Sequence, residues 1–237
     1  MKSIKSQIPN AVTLLNAFFG CCAIVSLFQH AYSNALLFIA LSMFADYLDG
    51  FVARLLNVTS ELGLQLDSLS DAVSFGVVPG TIIYCLLKED AGLPPYAVYA
   101  GFFITVFSLY RLAKFNIDTR QRENFVGLNT PANTVFFSGL LIMHVFKGIQ
   151  FSSTLLLLLI PISCFLLVSE VPMFSFKFKK ISWVGNEMRF IFLFIALLLL
   201  LWVPYLALPI IIGVYIGINI IIAYSQRNKN PSIEFKK

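Results

Sequence analysis

Apolar runs of about 20 residues recur from Val12 to Tyr224, separated by short polar or charged breaks. Read against those breaks, the pattern predicts helices near 11–29, 33–57, 64–87, 96–115, 131–147, 153–173, 187–203 and 205–224. The last two come from one uncharged run, Ile191 to Ala223, interrupted only by Pro204 and Pro209. As a single helix at about 1.5 Å per residue it would reach roughly 50 Å, against a hydrocarbon core of about 30 Å. A tight hairpin at 203–209 is therefore predicted.

Composition agrees with a chain dissolved in lipid. Hydrophobic residues make up 58% and charged residues 12%, and the mean hydropathy is +0.83, which excludes an ordinary soluble domain. The longest weakly apolar stretch, Asn116 to Asn129, is too short to bury a core of its own. The expected fold is an all-α integral membrane protein, a bundle of about eight transmembrane helices with both termini cytoplasmic. It forms a single domain over 1–237, with a catalytic core at about 8–135, further helices at 136–225 and a basic tail at 226–237.

The basic residues set the orientation. With the amino terminus in the cytoplasm, fifteen lie on that side: Lys2, Lys5, Arg54, Arg111, Lys114, Arg120, Arg122, Lys177, Lys179, Lys180, Arg189, Arg227, Lys229, Lys236 and Lys237. Only Lys88 and Lys147 lie on the other. The net charge of +5 is thus a topology and lipid-surface signal, with Lys114, Lys177, Lys179 and Lys180 meeting anionic headgroups. No basic face stands clear of the membrane to hold a nucleic acid.

Cys21, Cys22, Cys85 and Cys164 lack metal-ligand spacing and are expected to be buried free thiols. His30 and His144 look isolated near helix ends, which argues against a histidine metal site. The first helix looks retained, since no small-residue cleavage site follows it. Gly213 and Gly217 form a GxxxG pattern suited to packing within the chain or to a dimer face.

The chemistry lies in four acids inside the second and third apolar segments: Asp46, Asp49, Asp67 and Asp71. A carboxylate at the centre of a membrane helix costs about 2.5–3.5 kcal/mol, so four left uncompensated would cost roughly 10. Asp46 and Asp49 are three apart and Asp67 and Asp71 four apart, so each pair shares a helix face. In an antiparallel hairpin turning at 57–61, Asp46 comes level with Asp71 and Asp49 with Asp67, some 10–15 Å from the cytoplasmic end. Oxygen ligands without Cys or His favour hard ions, Mg²⁺ or Mn²⁺ with Ca²⁺ possible, and four Asp suit two ions. A proton or sodium pathway is the competing reading. Gly50, Ala53 and Gly63 leave space beside the acids, and Arg54 supplies a fork of donors for phosphate oxygens.

Written out, Asp46-x2-Asp49-Gly50-x2-Ala53-Arg54-x8-Gly63-x3-Asp67-x3-Asp71 resembles at every fixed position the signature of the CDP-alcohol phosphatidyltransferases. Ile8-Pro9-Asn10, Arg111-Leu112-Ala113-Lys114-Phe115-Asn116 and Phe125-Val126-Gly127-Leu128-Asn129-Thr130-Pro131-Ala132 are similar to the phosphatidylserine synthase branch of that family, although Asn129 stands where the branch more often has proline. The resemblance implies transfer of a phosphatidyl group from CDP-diacylglycerol, or an ether-lipid analogue, to the hydroxyl of L-serine, with release of CMP. It further implies that Asp46, Asp49, Asp67 and Asp71 bind two divalent cations, Mg or Mn, that Asp71 is also the general base, and that Gly50, Ala53, Arg54 and Gly63 shape the nucleotide pocket. Asn10 and Thr13 are further candidates for the CDP-lipid, with capping of the first helix as their alternative role. Arg111, Arg120 and Arg122, with Asn116, Asn129 and Thr130 nearby, are candidates for the serine carboxylate or a phosphate. Acceptors such as glycerol 3-phosphate or inositol phosphate would call for a denser basic pocket. A homodimer is expected from the resemblance.

Overall fold

The computed structural model describes residues 4–58, 60–118, 125–174, 183 and 186–229. It is helical nearly throughout, in the expected order. Helix α1 (Ile4–Phe28) and α2 (Tyr32–Leu55) form a hairpin around His30, a non-glycine residue at φ 56°. The tight turn after α2 places Asn57 at φ 51°, a left-handed position that Asn adopts more readily than most residues. Ser60 then caps α3 (Glu61–Asp71), its hydroxyl accepting the Gly63 amide at 2.9 Å.

The single third span expected at 64–87 is continuous but not uniform. After Asp71 the chain widens into a π-helical segment, Ala72–Val77, before resuming as α4 (Val78–Lys88). Such bulges accommodate one extra residue in a turn and often accompany functional positions. A 3₁₀ turn (Ala97–Gly101) leads into α5 (Phe102–Ile117), followed by α6 (Thr130–Lys147) and α7 (Ser153–Val168).

Three boundaries depart from the expectation. Helix α1 begins at Ile4 rather than near 11, so Asn10 and Thr13 lie within the helix and do not cap it. Helix α7 stops at Val168, five residues short of 173, because the chain turns into a two-residue strand, β2 (Pro172–Met173), antiparallel to β1 (Phe125–Val126). Pro172 disfavours helix at the residue before it, and the Val171 carbonyl is taken by the Gly127 amide at 2.9 Å. The hairpin near the carboxyl end breaks at Val203 alone: α8 (Glu187–Trp202) ends there, while α9 (Pro204–Lys229) runs through Pro209.

Among the described residues, five helical stretches are long and apolar enough to cross a membrane, Gln7–Phe28, Tyr32–Leu55, Glu61–Lys88, Ala97–Ile117 and Pro204–Tyr224, and Ser153–Val168 is a shorter apolar helix. The protein is an integral membrane protein. Its main apolar core, including Leu27, Ile39, Ile82, Ile83, Leu87, Phe137, Leu141 and Leu156, fills the half of the bundle away from the four acids. A smaller cluster, Leu128, Met173, Phe192 and Tyr215, secures α8 and α9 to the strand pair.

Two expectations about lone polar residues are corrected. The histidines are not isolated: His30 Nδ1 meets the Tyr32 hydroxyl at 2.9 Å, that hydroxyl donates to Glu89 Oε1 at 2.9 Å, and His144 Nε2 lies 3.3 Å from the same oxygen. Residues distant in sequence thus tie three connections together at the end opposite the acids. The cysteines are free as expected, but only Cys85 and Cys164 are buried; Cys21 is exposed and Cys22 half-buried, because α1 presents that face outward.

Candidate active site

Helix α1 packs along α2 and also against α3, whereas α2 and α3 hardly approach each other directly. The two acid-bearing helices therefore diverge from a shared support rather than packing as close neighbours, and a groove opens between them. About 880 Å³ in volume, it is lined by Asn10, Thr13, Asp46, Asp49, Gly50, Ala53, Arg54, Gly63 and Asp67, among others. All six residues expected to meet the CDP-lipid line this one groove.

Glycines give it its width. A Cβ added at Gly50 would meet nothing within 4 Å, so the space beside Asp49 is open. A Cβ at Gly63 would lie 3.0 Å from both Asn10 Oδ1 and Ser60 Oγ, so this glycine lets α1 come close enough to contribute Asn10. Thr13 donates to the Pro9 carbonyl at 3.0 Å and stands beside the Asp49 carboxyl. Arg54 Nε donates to the Gly50 carbonyl at 2.9 Å, which sets the guanidinium at the rim of the groove.

Asp46, Asp49 and Asp67 each offer a carboxylate oxygen, and the three oxygens lie within 4.8 Å of one another. Asp49 is 7% exposed, and its Oδ2 has no hydrogen-bond partner. Among the described residues no Lys or Arg forms an ion pair with these acids. Clustered carboxylates out of water repel one another, and a buried oxygen without a donor calls for a partner of opposite charge. An all-oxygen cluster with an orphaned buried ligand atom is what a hard divalent cation requires, so these residues fit a metal centre.

Asp71 does not line the groove with the other three. It sits one turn deeper along α3, in side-chain contact with Asp46, and accepts a hydrogen bond from Asn16 Nδ2 at 3.3 Å. The four acids therefore form a cluster of three with the fourth behind it, not one flat layer.

Behind Asp71, α5 and α6 pack against the π segment. Arg111 is 6% exposed, and its Nε and Nη2 lack hydrogen-bond partners. Its charge interacts with Asp71, and its Cζ lies 5.7 Å from the centre of the Phe115 ring. Thr130 Oγ1, Asn133 Nδ2 and Ser108 Oγ are likewise buried without partners. The Thr134 hydroxyl reaches the Phe75 carbonyl at 3.1 Å, which fixes the start of α6 against the π segment.

The remaining candidates have other duties. Asn129 caps α6, its Oδ1 accepting the Ala132 amide at 2.8 Å. Asn116 is exposed and exchanges hydrogen bonds with Ser68, joining α5 to α3. Arg120 and Arg122 lie outside the described residues. Sequence reasoning missed Asn16, Ser108 and Asn133, whose surroundings come from helices far apart in the chain.

Comparison with known proteins agrees with this geometry. A sequence model of the CDP-alcohol phosphatidyltransferase family matches residues 6–169. A CDP-diacylglycerol–serine O-phosphatidyltransferase of Helicobacter pylori is 34% identical over 219 residues, covering 90% of this chain and 89% of that protein. The enzyme of that name from Mycobacterium leprae is 32% identical over 230 residues, covering 91% of this chain and 74% of its own, and the Bacillus subtilis one is 36% identical over 126 residues, covering 53% and 70%. With three of its signature acids gathered in one groove, the fourth directly behind them, and the family match spanning most of its length, the chain belongs to the CDP-alcohol phosphatidyltransferase family.

Proposed function

We propose that the protein transfers the phosphatidyl group of CDP-diacylglycerol, or of an ether-linked analogue, to the hydroxyl of L-serine, giving phosphatidylserine and CMP. The observation that carries this reading is the groove in which Asp46, Asp49 and Asp67 converge while Arg111, buried and short of acceptors, lies within electrostatic range of Asp71. The relatives named for the serine reaction support the choice of acceptor.

The nucleotide-lipid enters the groove with its diphosphate between Arg54 at the rim and the acid cluster. Two divalent cations, Mg²⁺ or Mn²⁺, held by Asp46, Asp49, Asp67 and Asp71 would neutralise the diphosphate and the charge gathering on the departing CMP. Asn10 and Thr13 contribute polar contacts, and Gly50, Ala53 and Gly63 leave room for the nucleotide. Arg111 pairs with the serine carboxylate, an ion pair worth most where water is excluded. Thr130 and Asn133 supply nearby polar atoms. Asp71 takes the proton from the serine hydroxyl as its oxygen bonds to the lipid-side phosphorus. The bond from that phosphorus to the CMP oxygen breaks, and the electron pair leaves with CMP.

The fifteen-to-two distribution of basic residues supports a cytoplasmic opening for the groove and cytoplasmic termini. The reading takes 8–135 as the catalytic core within one domain. It also takes the chain as a homodimer, for which the open Cβ positions of Gly213 and Gly217 offer a close-packing face. No nucleic acid is involved.

The test is incubation of the purified protein with CDP-diacylglycerol, Mn²⁺ and each of L-serine, glycerol 3-phosphate and inositol phosphate, reading CMP. L-Serine alone should give it. Release with a phosphorylated acceptor and not with serine would refute the assignment.

A further inference from the structure

Asn16 lies in the middle of α1, between Leu15 and Ala17, and is fully buried. A carboxamide in that setting costs several kcal/mol unless its hydrogen bonds are made. Asn16 bonds to three other elements, two through its carboxamide and one through its backbone carbonyl. Its Oδ1 accepts the Ser42 hydroxyl of α2 at 2.5 Å, its Nδ2 donates to Asp71 Oδ1 at 3.3 Å, and its backbone carbonyl accepts the Ser74 hydroxyl of the π segment at 3.0 Å.

These contacts determine which way the carboxamide faces. Ser42 carries one hydroxyl proton, and its short bond goes to Asn16 Oδ1, with a longer approach of 3.3 Å to the Asn16 carbonyl. The amino half of the side chain is thereby turned towards Asp71. Ser74 holds the α1 backbone at the same level, and it can do so because the chain widens into the π segment directly after Asp71. Neither serine touches the groove. Ser42 meets Asp71 through Asn16, whereas Ser74 also belongs to the helical run that carries Asp71.

We infer that Asn16 is a positioning residue for Asp71: it engages one carboxylate oxygen and fixes the side chain so that the other oxygen stays directed at the acid cluster and the incoming hydroxyl. Ser42 acts one step further back, by keeping the Asn16 carboxamide from turning over. The inference rests on the proposed role of Asp71 as base.

The experiment uses the full-length protein in proteoliposomes, with CMP release, Mn²⁺ binding and thermal unfolding measured for each variant. Asn16→Leu keeps the volume and removes the donor. Its kcat should fall about 10- to 100-fold, the usual loss for a residue that orients a catalytic or ligating group. The KM values for CDP-diacylglycerol and serine should stay within about twofold, since no substrate contact is lost. Asn16→Asp, which still accepts from Ser42 but offers Asp71 no N–H, should fall at least as far. Ser42→Ala should lower kcat about 3- to 10-fold alone and not at all in the Asn16→Leu background, because the two act on one bond.

Near-normal kcat in Asn16→Leu and Asn16→Asp would overturn the inference. So would full multiplication of the Ser42 and Asn16 losses, or a fall in kcat that only follows a lower unfolding temperature. Should Asn16→Leu fail to fold, the near-isosteric Asn16→Asp and the Ser42→Ala variant decide. Asp71→Asn separates this inference from the reading it rests on. Normal turnover in Asp71→Asn sinks the base assignment, whereas an inactive Asp71→Asn beside a normal Asn16→Leu removes Asn16 alone.

Discussion

Gly20 of α1 presses directly on Ser74 of the π segment, where an added Cβ would fall 2.4 Å from the Ser74 Oγ and 3.0 Å from its Cα. No side chain fits there without moving backbone. The π segment is the continuation of the helix that carries Asp67 and Asp71, so the position of those acids depends on a contact one turn beyond Asn16 on the first helix. Gly20→Ala should therefore lower the unfolding free energy by about 1–3 kcal/mol, as overpacking of a close contact does, and reduce turnover with it. Thermal unfolding in detergent checks the first effect and CMP release the second. Wild-type values for both would show that the contact yields freely.

Gly50 makes the opposite case. Nothing lies within 4 Å of a Cβ built there, although the residue adjoins buried Asp49. Gly50→Val should fold as the wild type does, with a stability change of about 1 kcal/mol or less in whichever direction β-branching and the loss of glycine's flexibility combine. The added methyls project into the groove, so the KM for CDP-diacylglycerol should rise while that for serine changes little. Equal losses towards both substrates would mean that Gly50 does not border the nucleotide alone.

Asp90, just beyond α4 at the end opposite the acids, provides a pH test of the fold that is separate from catalysis. The Ser153 hydroxyl, and after it the Gly92 amide at 2.9 Å, hold its carboxyl below the usual carboxylate range. A lowered folded-state value stabilises the protein above the unfolded pKa of about 3.9, and that contribution disappears as pH falls through the lower folded value. The stability difference between wild type and Ser153→Ala should therefore be constant above about pH 5 and shrink below about pH 4. Unfolding temperatures collected across that range would show it. A difference that grows on acidification would contradict the sign.

The parts of the site that could be read from the chain are those whose cost is local. Four carboxylates in apolar runs are expensive wherever the helices go, and their three- and four-residue spacing fixes a common face before any packing is known. Arg54, Gly50 and Gly63 follow from the same segment and line the same groove. The span order was legible for a similar reason, since bilayer thickness sets the length of an apolar run. Asn16 was not, because a lone Asn in an apolar helix has no period, and its meaning comes from Ser42 and Asp71, 26 and 55 positions away. The π segment was hidden too: residues 72–77 suit either helix type, and only packing against Gly20 and Thr134 distinguishes them. Asn129 looked like a substrate contact because it neighbours Thr130 and Pro131, yet its amide oxygen is used as a helix cap.

The central claim is that the Asp46–Asp49–Asp67 cluster, with Asp71 behind it, holds divalent cations. The most direct measurement is titration of chelator-stripped protein with Mn²⁺ followed by electron paramagnetic resonance, for the wild type, in which the buried Asp49 Oδ2 lacks a hydrogen-bond partner, and for Asp49→Asn, which replaces that oxygen with an amide nitrogen. The wild type should remove about two Mn²⁺ per chain from the free-ion signal, as a two-metal centre would, with clear weakening in Asp49→Asn. No protein-bound Mn²⁺, or identical binding by the two proteins, would contradict the account.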